Sequence, residues 1–510
     1  MVHEAPDEGN GPLAQSVAVA TGRARATSVP SIAAALQELL AHDVAAWDTF
    51  GLERFKERTV RSVFRGVLAG VPVHVKVFRA DTLADRARDA LRRPRGATEA
   101  KNLVRARENG IPVVEPLAYG IAVDGDHRRA FVVTHTVEHA APFDFTMDAP
   151  SLRRAGALLR RIQDAGIDAG DLHPGNLLVD RAGDLHALDL TSVRFGGPPT
   201  LARRAARLAF FCQELDGGAV DPRARELLDA YLAAGAALPA SFRRELELAT
   251  HRWRASALVA FGRRATRTCR HTRADERRRG RPRWFVHLPA GDADALTAEC
   301  ERLLADGAPP LRRGRRGAVW LHSGFAVKER DAGAARRLWL AAYWLVFARV
   351  PSAPLVALRL THDRGFVFCR DLGAPSLATE IAAGALDAGA VTASARSIGN
   401  GVGRLHAHGL RNRDLKFENL VRDPVTREVC IVDLDGVRRA STTDTRGRGA
   451  DLGRLLAAFR GAGSPGGDAT VRTFVRAYLR AHGDLLQTTP LRRVARRAEQ
   501  RAGEWASAHR

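Results

Sequence analysis

The chain carries the same short pattern of polar residues twice, at nearly the same interval. The first copy comprises Asp171, Asn176 and Asp189, and the second comprises Asp414, Asn419 and Asp433. The offset between the copies is 243 residues (414 − 171) at the first Asp and 244 residues (433 − 189) at the last. In each copy a short apolar run precedes the last Asp. A repeat of this period predicts two copies of one domain in a single polypeptide.

The spacing within each copy indicates a particular chemistry. An Asp, an Asn five residues later and a further Asp after a strand-like run is the layout of a kinase catalytic and metal-binding loop. In that layout the first Asp accepts the proton of the attacking hydroxyl, while the Asn and the second Asp hold Mg²⁺ against the phosphates of ATP. The pattern predicts Asp171 and Asp414 as catalytic bases. It predicts as metal ligands Asn176, Asp189, Asn419 and Asp433.

Lysine is rare in this sequence. Of 79 Lys and Arg residues five are lysine, which leaves 74 arginines (79 − 5). A retained lysine is therefore a candidate for a role that arginine cannot fill. Lys76 and Lys328 end strand-like segments 95 (171 − 76) and 86 (414 − 328) residues before the predicted bases, where a kinase keeps its phosphate-binding lysine. Both are predicted to bind ATP, the alternative being surface lysines. Lys416 either neutralises the transferred phosphoryl group or is a solvated loop residue.

Composition sets the class of protein without deciding the activity. A chain of 510 residues that is 45% hydrophobic is long enough for two domains with full cores. The five cysteines are scattered without a Cys-x-x-Cys pair, which argues against a zinc site or a disulfide framework and favours a reducing compartment. The first residues lack a basic and then apolar leader, and the longest apolar run, 338–348, is about half of the ~20 residues that span a bilayer. We expect a cytoplasmic protein.

The net charge of +22 calls for an anionic partner or a compositional origin. Arginine-rich surfaces bind nucleic acid, an anionic membrane leaflet or an acidic glycolipid. No zinc finger, RNP motif or basic stripe with interleaved aromatic residues is present, so no specific nucleic acid is predicted. The alternative to a partner is a general bias of the sequence towards arginine. The oligomeric state is not predicted.

The order of strand-like and helix-like segments predicts an α+β protein with tandem bilobal domains. Each repeat reads as a small β-rich N-lobe followed by a larger α-helical C-lobe, with ATP between the lobes. The arginine-rich stretch 270–283 is the best linker candidate. The predicted division is a disordered tail at 1–30, a first domain at 31–275 and a second domain at 276–510.

These motifs resemble the lipopolysaccharide core kinase family, the Kdo and heptose kinases of the protein-kinase-like superfamily. In the first half the resemblance rests on Arg58 to Arg65, Lys76, Glu99 ahead of Gly110 to Val113, Asp171 to Asn176, and Asp189. In the second half it rests on Val319-Trp320, Lys328, Arg349 to Pro351, Arg413-Asp414, Asn419, and Asp433 to Gly436. The resemblance implies ATP and Mg²⁺ as cofactors and Glu99 as the ion-pair partner of Lys76. It also implies phosphorylation of a sugar hydroxyl on a lipopolysaccharide-core-like glycolipid, with peripheral contact at the cytoplasmic leaflet of the inner membrane.

The chain departs from ordinary protein kinases. No Gly-x-Gly-x-x-Gly precedes either lysine, no Ala-Pro-Glu follows Asp189 or Asp433, and no Walker motif is present. Such a site suits a small-molecule hydroxyl better than a protein serine. A protein kinase or an antibiotic-type kinase is the enzymatic alternative. A pseudokinase scaffold that binds nucleotide without turnover is the alternative from another class.

The two copies differ in the residues around the predicted site. Glu99 lies thirteen residues before Pro112, but Leu338 lies thirteen before Pro351, so the second copy is predicted to lack the acid that pairs with its lysine. We therefore expect the first copy to carry most of the activity. Leu338 also begins the apolar run, which is covered either by its own domain or by the first domain. In the supporting residues, Arg204 stands roughly where the second copy has Asp451.

Overall fold

A computed structural model of the chain describes residues 13, 15–58, 61–79, 94–215, 218, 221–275, 282–440, 444–461, 467–482 and 496–503. The chain divides into two compact units. The first unit comprises residues 1–215 and 222–246, and the second comprises 216–221 and 247–510.

The first unit begins with a sheet and continues with helices and short strands. Its strands are β1 (Val17–Thr21), β2 (Ala24–Ser28), β3 (Leu52–Arg58), β4 (Arg61–Leu68), β5 (Val71–Phe78), β6 (Pro116–Asp124), β7 (His127–His135), β8 (Ala141–Pro142), β9 (Ile167–Ala169), β10 (Leu177–Val179), β11 (Leu185–Ala187) and β12 (Val193–Phe195). Its helices are α1 (Pro30–Leu40), α2 (Arg95–Glu108), α3 (Ala149–Asp164), α4 (Leu201–Phe211) and α5 (Arg225–Ala233). Helix α6 (Phe242–Gly262) begins in this unit and ends in the second.

The second unit has the same progression. Its strands are β13 (Thr272–Ala274), β14 (Arg283–His287), β15 (Arg312–Gly314), β16 (Gly317–His322), β17 (Phe325–Asp331), β18 (Leu355–Leu360), β19 (Arg364–Arg370), β20 (Leu410–Asn412), β21 (Leu420–Arg422), β22 (Val429–Ile431) and β23 (Val437–Arg439). Its helices are α7 (Ala293–Ala305), α8 (Ala332–Phe347), α9 (Leu377–Ala382), α10 (Ala388–Ala407), α11 (Thr445–Arg460) and α12 (Gly467–His482), and residues 496–503 are also helical.

The two large sheets have the same strand order. Both have seven antiparallel strands, in the order β1-β2-β6-β7-β5-β4-β3 in the first unit and β13-β14-β18-β19-β17-β16-β15 in the second. Helices α2 and α8 follow the central strands β5 and β17, and most of the later residues in each unit are helical. The predicted α+β class is confirmed.

The prediction of a disordered tail at 1–30 is wrong for the described part of that segment. Strands β1 and β2 form a hairpin, and β2 pairs with β6 at the edge of the first sheet. Because they contain many Ala, Thr and Arg residues, apolar and polar positions alternate only weakly, and the sequence does not predict two strands. Residues 1–12 and 14 lie outside the described residues.

The boundary between the units lies earlier than the sequence suggested, at 246/247 and not at 275/276. Leu258 and Ala265 are buried in the core of the second unit, and β13 pairs with β14 inside the second sheet. The proposed linker 270–283 therefore contributes strand residues at both ends. Residues 276–281 of that linker lie outside the described residues.

The apolar helix α8 is covered within its own unit. Trp339, Tyr343 and Leu345 are fully buried, and Trp339 Nε1 donates a hydrogen bond to the carbonyl oxygen of Ala265 at 2.7 Å. The ring centroid of Phe261 lies 4.8 Å from that of Tyr343. These contacts account for a helix that is apolar on most of its faces. No helix among the described residues combines the length and the apolar character needed to cross a bilayer.

Candidate active site

Strand β5 places Lys76 by simple alternation. Val73, Val75 and Val77 are buried in the sheet core, so Lys76 lies on the opposite face, where it pairs in register with Val132 of β7. Helix α2 packs on that face because Gly96 has no side chain. A Cβ at that position would lie 2.0 Å from the carbonyl oxygen of Phe131.

Lys76 joins two carboxylates that are distant in sequence. Its Nζ lies 2.8 Å from Oε2 of Glu99 on α2 and 2.7 Å from Oδ1 of Asp189. The side chains of Lys76, Glu99 and Asp189 are only 12%, 4% and 9% exposed. Burial raises the pKa of Glu99, although Lys76 opposes that shift. The structure thus contains the Lys76–Glu99 ion pair that the resemblance implied, and it adds Asp189, which the sequence predicted as a metal ligand, as a second partner of Lys76.

Asp189 holds a strained and charged position. Its φ of +63° lies in the left-handed region, which costs a non-glycine residue on the order of 1–2 kcal/mol. Burial alone would raise the pKa of Asp189, but Lys76 and Arg61 outweigh it and hold this pKa well below its ordinary value. Arg61 Nη1 donates to Oδ2 at 2.5 Å, and the Thr191 hydroxyl donates to Oδ1 at 2.9 Å. Asp189 is therefore an ionised oxygen donor at neutral pH.

Asn176 links the loop of Asp171 to the strand before Asp189. Its Nδ2 donates to the carbonyl oxygen of Asp171 at 3.0 Å, and its own carbonyl oxygen accepts from the backbone N–H of Leu188 at 3.0 Å. Asp171 is exposed, and its carboxylate makes no hydrogen bond or ion pair with the described residues. The predicted base is thus accessible to an incoming hydroxyl.

The donor set at this position fits magnesium. Asn176 offers an amide oxygen, because its nitrogen is used to hold the loop, and Asp189 offers carboxylate oxygens. Mg²⁺ prefers such hard oxygen ligands and takes only one or two carboxylates, with water and substrate phosphates completing its shell. Asn176 and Asp189 remain the predicted ligands.

In the second unit Lys328 has a different set of partners. Its Nζ lies 2.8 Å from Oδ1 of Asp433 and 4.0 Å from Oδ2 of Asp435. Arg330, two residues along β17, donates to Oδ2 of Asp435 at 2.7 Å. Helix α8 contains no glutamate, and Leu338 is buried on it, so this helix offers no carboxylate to Lys328. Glu329 pairs instead with Arg364, at 2.6 Å.

Asp414 is also held differently from Asp171. Asn419 Nδ2 donates to both the carbonyl oxygen and Oδ2 of Asp414 at 2.9 Å, and Lys416 Nζ lies 3.3 Å from Oδ1. The carbonyl oxygen of Asn419 accepts from Val432 N–H at 3.1 Å, as the corresponding Asn does in the first unit. Asp414 is therefore restrained by two neighbouring side chains. Lys416 is ion-paired in the loop and 39% exposed.

The residues that support the two loops carry opposite charges. Three residues before each predicted base stand Asp168 and Arg411. Asp168 accepts hydrogen bonds from Arg203 and Arg207 of α4, both at 2.5 Å. Arg411 donates to Asp451 of α11 at 3.1 Å. The charges of this contact are therefore opposite in the two units, whereas the sequence comparison had placed Arg204 roughly where the second copy has Asp451.

Arg204 itself lies next to this contact. It donates to Asp164 of α3 and to the carbonyl oxygen of Pro199. In the second unit Asn412 completes the support, since its Oδ1 accepts from the backbone N–H of Asp414 at 3.0 Å.

Two arginines that the sequence analysis did not single out contact aspartates of the predicted metal-binding segments. Arg61 reaches Asp189 from the first residue of β4, and Arg330 reaches Asp435 from β17. In register, Arg61 of β4 pairs with Phe78, two residues after Lys76, whereas Arg330 itself lies two residues after Lys328 on β17, so the cation comes from adjacent strands in the two units. The alternation of side chains along the strands near Lys76 and Lys328 could have indicated these two arginines, but only with the pairing register of the strands known.

One comparison with known proteins finds a similarity in the first unit. Residues 52–192, which contain the cluster of Lys76, Glu99 and Asp189 as well as Asp171 and Asn176, match the model of the Lipopolysaccharide kinase (Kdo/WaaP) family. A search among curated proteins finds no match.

Proposed function

We propose that this chain, whose residues 52–192 match the model of the Lipopolysaccharide kinase (Kdo/WaaP) family, transfers phosphate from ATP to a sugar hydroxyl of a lipopolysaccharide-core-like glycolipid. The observation that carries the proposal is the buried contact of Lys76 with both Glu99 and Asp189. A kinase needs this contact to aim an ammonium at the phosphates and to place the metal-binding carboxylate beside it.

We further propose that both units are bilobal kinase-like domains. The support is the shared strand order of the two sheets and the matching loops of Asp171 and Asp414. In each loop the Asn amide donates to the carbonyl oxygen of the predicted base, and the carbonyl oxygen of that Asn accepts from the residue before the second Asp. Two loops built by the same hydrogen bonds support a common fold.

The residues of the first unit would act in distinct roles. Bound Mg·ATP supplies the phosphoryl group and neutralises part of its charge. Lys76, oriented by Glu99, binds the phosphates. Asn176 and Asp189 hold the metal. Asp171 accepts the proton of the sugar hydroxyl as it attacks, because its carboxylate is exposed and engages no described side chain.

The high positive charge supports an anionic acceptor at the cytoplasmic leaflet of the inner membrane. A chain of net charge +22 is attracted to anionic lipid head groups, and each basic residue near the surface adds about 1 kcal/mol. Peripheral association needs no membrane-spanning segment. This attraction should weaken steeply with salt, since exposed charges are screened beyond ~8 Å at physiological ionic strength.

Mass spectrometry of the core glycolipid tests the proposed reaction. Cells that lack this gene should accumulate a glycolipid one HPO₃ unit lighter than that of the wild type, and the intact gene should restore the mass. A variant carrying Asp171→Asn should fail to restore it, whereas Asp126→Asn, in the exposed turn between β6 and β7, should restore it. Identical glycolipids in wild-type and deletion cells would contradict the proposed acceptor.

A second candidate, a nucleotide-binding unit with little turnover, is favoured for the second unit alone. Lys328 lacks a helix glutamate, and Asp414 is held by Asn419 and Lys416. Both features reduce the precision and the availability of groups needed for transfer. The second unit would then support the first unit and contribute little chemistry.

A further inference from the structure

The second unit contains a cleft that the proposed kinase chemistry does not use. It measures about 740 Å³ and lies between the turn joining β15 to β16, the start of α8, and the segment after Asp433. This volume falls within the ~300–1,000 Å³ that small-molecule sites occupy. Neither Lys328 nor Asp433, Asp414 or Asn419 lines it.

The lining of the cleft is strongly cationic. It contains seven arginines and three aspartates, which gives a formal charge of +4 (7 − 3). Arg330 and Arg364 are paired with Asp435 and Glu329. The other five make no side-chain hydrogen bond or ion pair with any residue that the structure describes: Arg315, Arg316, Arg337, Arg413 and Arg438.

Arg330 shows that the positive charge reaches the inner wall of the cleft. This residue is only 8% exposed. One guanidinium nitrogen donates to Asp435 and another to the carbonyl oxygen of Glu329, while its Nε has no hydrogen-bond partner. Burying an N–H donor without an acceptor costs about 1–3 kcal/mol. An anionic oxygen bound in the cleft would supply that acceptor.

Arginines beside the cleft repel one another. Burial, together with repulsion from Arg413 and Arg411, lowers the pKa of Arg438 below its ordinary value. The N-terminal end of helix α8 also lies at the cleft and favours a bound anion. Its N-cap Asp331, together with Ala334 and Arg337, lines the cleft. A helix N-terminus carries about half of a positive charge.

Two sequence features shape the cleft. Gly317 has a φ of +125°, and a Cβ there would lie 2.0 Å from the carbonyl oxygen of Glu329, so only glycine allows the close turn that presents Arg315 and Arg316. Leu338 lines the cleft at the position where the first unit has the buried acid Glu99. The absence of a carboxylate at Leu338 removes a negative charge that would repel an anion.

We propose that this cleft is a binding site for a sugar that carries two separate phosphate monoesters, distinct from the nucleotide position at Lys328. Planar guanidinium groups bind phosphate oxygens in pairs, and five unpaired arginines provide enough donors for more than one phosphate. The ligand can be a free sugar bisphosphate or the bisphosphorylated head group of a glycolipid. The proposal requires no phosphoryl transfer, so it stands or falls separately from the proposed reaction.

Calorimetric titration of the intact chain with glucose 1,6-bisphosphate tests the site. We expect saturable binding to the wild type and no binding of glucose. The double variant Arg337→Ala/Arg438→Ala should weaken binding at least about tenfold, because charge-assisted hydrogen bonds are lost. The control variant Arg396→Ala/Arg472→Ala removes two exposed arginines of α10 and α12 outside the cleft and should change the affinity less than about twofold.

Further arms separate the cleft from the nucleotide site and identify the source of the phosphates. The Lys328→Ala variant should bind glucose 1,6-bisphosphate as the wild type does, and saturating Mg·ATP should not displace it. Arg316→Ala, in the exposed turn, provides a second cleft variant that leaves the core untouched. Stronger binding to vesicles containing bisphosphorylated lipid A than to the free bisphosphate would identify the lipid head group as the ligand. Equal loss in the two double variants, or displacement by ATP, would overturn the proposal.

Discussion

Lys76 and Glu99 meet at 2.8 Å across the face of the first sheet, whereas Lys328 of the second unit faces the buried helix α8 without a glutamate. An ion pair of this kind fixes the direction of the ammonium before ATP binds. The difference predicts unequal contributions from the two units to phosphoryl transfer.

Lys76→Ala should reduce the rate of phosphoryl transfer about 100-fold, the usual size of effect when one charge-stabilising donor is removed from a transition state. Lys328→Ala should reduce it less than about threefold, since Lys328 is oriented only by Asp433 and Asp435. Initial rates with radiolabelled ATP and core glycolipid measure both. Lys101→Ala, an exposed lysine of α2, is the matched control. A larger loss from Lys328→Ala would assign the chemistry to the second unit.

Arg61 should take the place of a glycine-rich loop in binding phosphate. A metal bound at Asp189 would weaken the attraction between this carboxylate and Arg61, which would leave the guanidinium available to the phosphates of ATP. Arg61→Ala should raise the KM for ATP about tenfold through the loss of a charge-assisted contact. Arg65→Ala, four residues further on the same strand but exposed, should leave the KM unchanged. A lower KM for ATP in Arg61→Ala would instead show that Arg61 blocks the site.

The contact between Arg411 and Asp451 should stabilise the second unit. Asp451 is fully buried and also accepts hydrogen bonds from Arg454 and His406. Asp451→Asn removes the buried negative charge that Arg411 and Arg454 share, while Arg411 keeps its contact with Asp444, and should lower the free energy of unfolding of the second unit by about 2 kcal/mol. Asp468→Asn, at the exposed start of α12, should lower it by less than about 1 kcal/mol.

Urea unfolding followed by tryptophan fluorescence measures this change. Of the seven tryptophans only Trp47 precedes residue 247, so the fluorescence reports mainly on the second unit. Equal midpoints for Asp451→Asn and Asp468→Asn would show that the buried network adds no net stability.

His482 should make the second unit sensitive to acid. Burial, followed by the charges of Arg448 and of the nearby His251, His406 and Arg254, lowers the pKa of His482 well below its ordinary value. The unfolded chain then binds a proton near pH 6.5 that the folded chain does not bind, so stability is lost as the pH falls below about 6.5.

In His482→Gln the unfolded and folded chains no longer differ by this proton. The free energy of unfolding should therefore depend less steeply on pH between pH 6.5 and 5.5, by up to about 1.4 kcal/mol per pH unit. Urea unfolding at several pH values measures the slope. His362→Gln, an exposed histidine in the turn between β18 and β19, is the control. An unchanged slope in His482→Gln would contradict the proposed role of burial.

The sequence predicted the residues of this site because the spacing within each loop is short and chemically restrictive. Asp171 and Asn176 lie in one loop, and Lys76 stood out because almost every other cation is arginine. The structure adds what spacing cannot give, namely that Lys76 contacts both Glu99 and Asp189.

Other features depended on register and on tertiary packing. Strands β1 and β2 are rich in small and polar residues, and their place in the sheet depends on the pairing of β1 with β2 and of β2 with β6. The exchanged charges at Asp168 and Arg411 could not be read from either copy alone, because each residue finds its partner on a helix more than thirty residues away. Arg61 depended on the register of β4 against β5.

The most direct test of the kinase reaction compares ATP binding with phosphoryl transfer in the Asp171→Asn/Asp414→Asn double variant. The substitution removes both predicted bases while keeping the size of the side chains. We expect the variant to bind Mg·ATP within about threefold of the wild-type affinity and to transfer no measurable phosphate, because the base acts on the acceptor hydroxyl. Asp126→Asn/Asp468→Asn, which changes two exposed aspartates, should retain full transfer. A folded Asp171→Asn/Asp414→Asn protein that still phosphorylated the glycolipid at the wild-type rate would contradict the account.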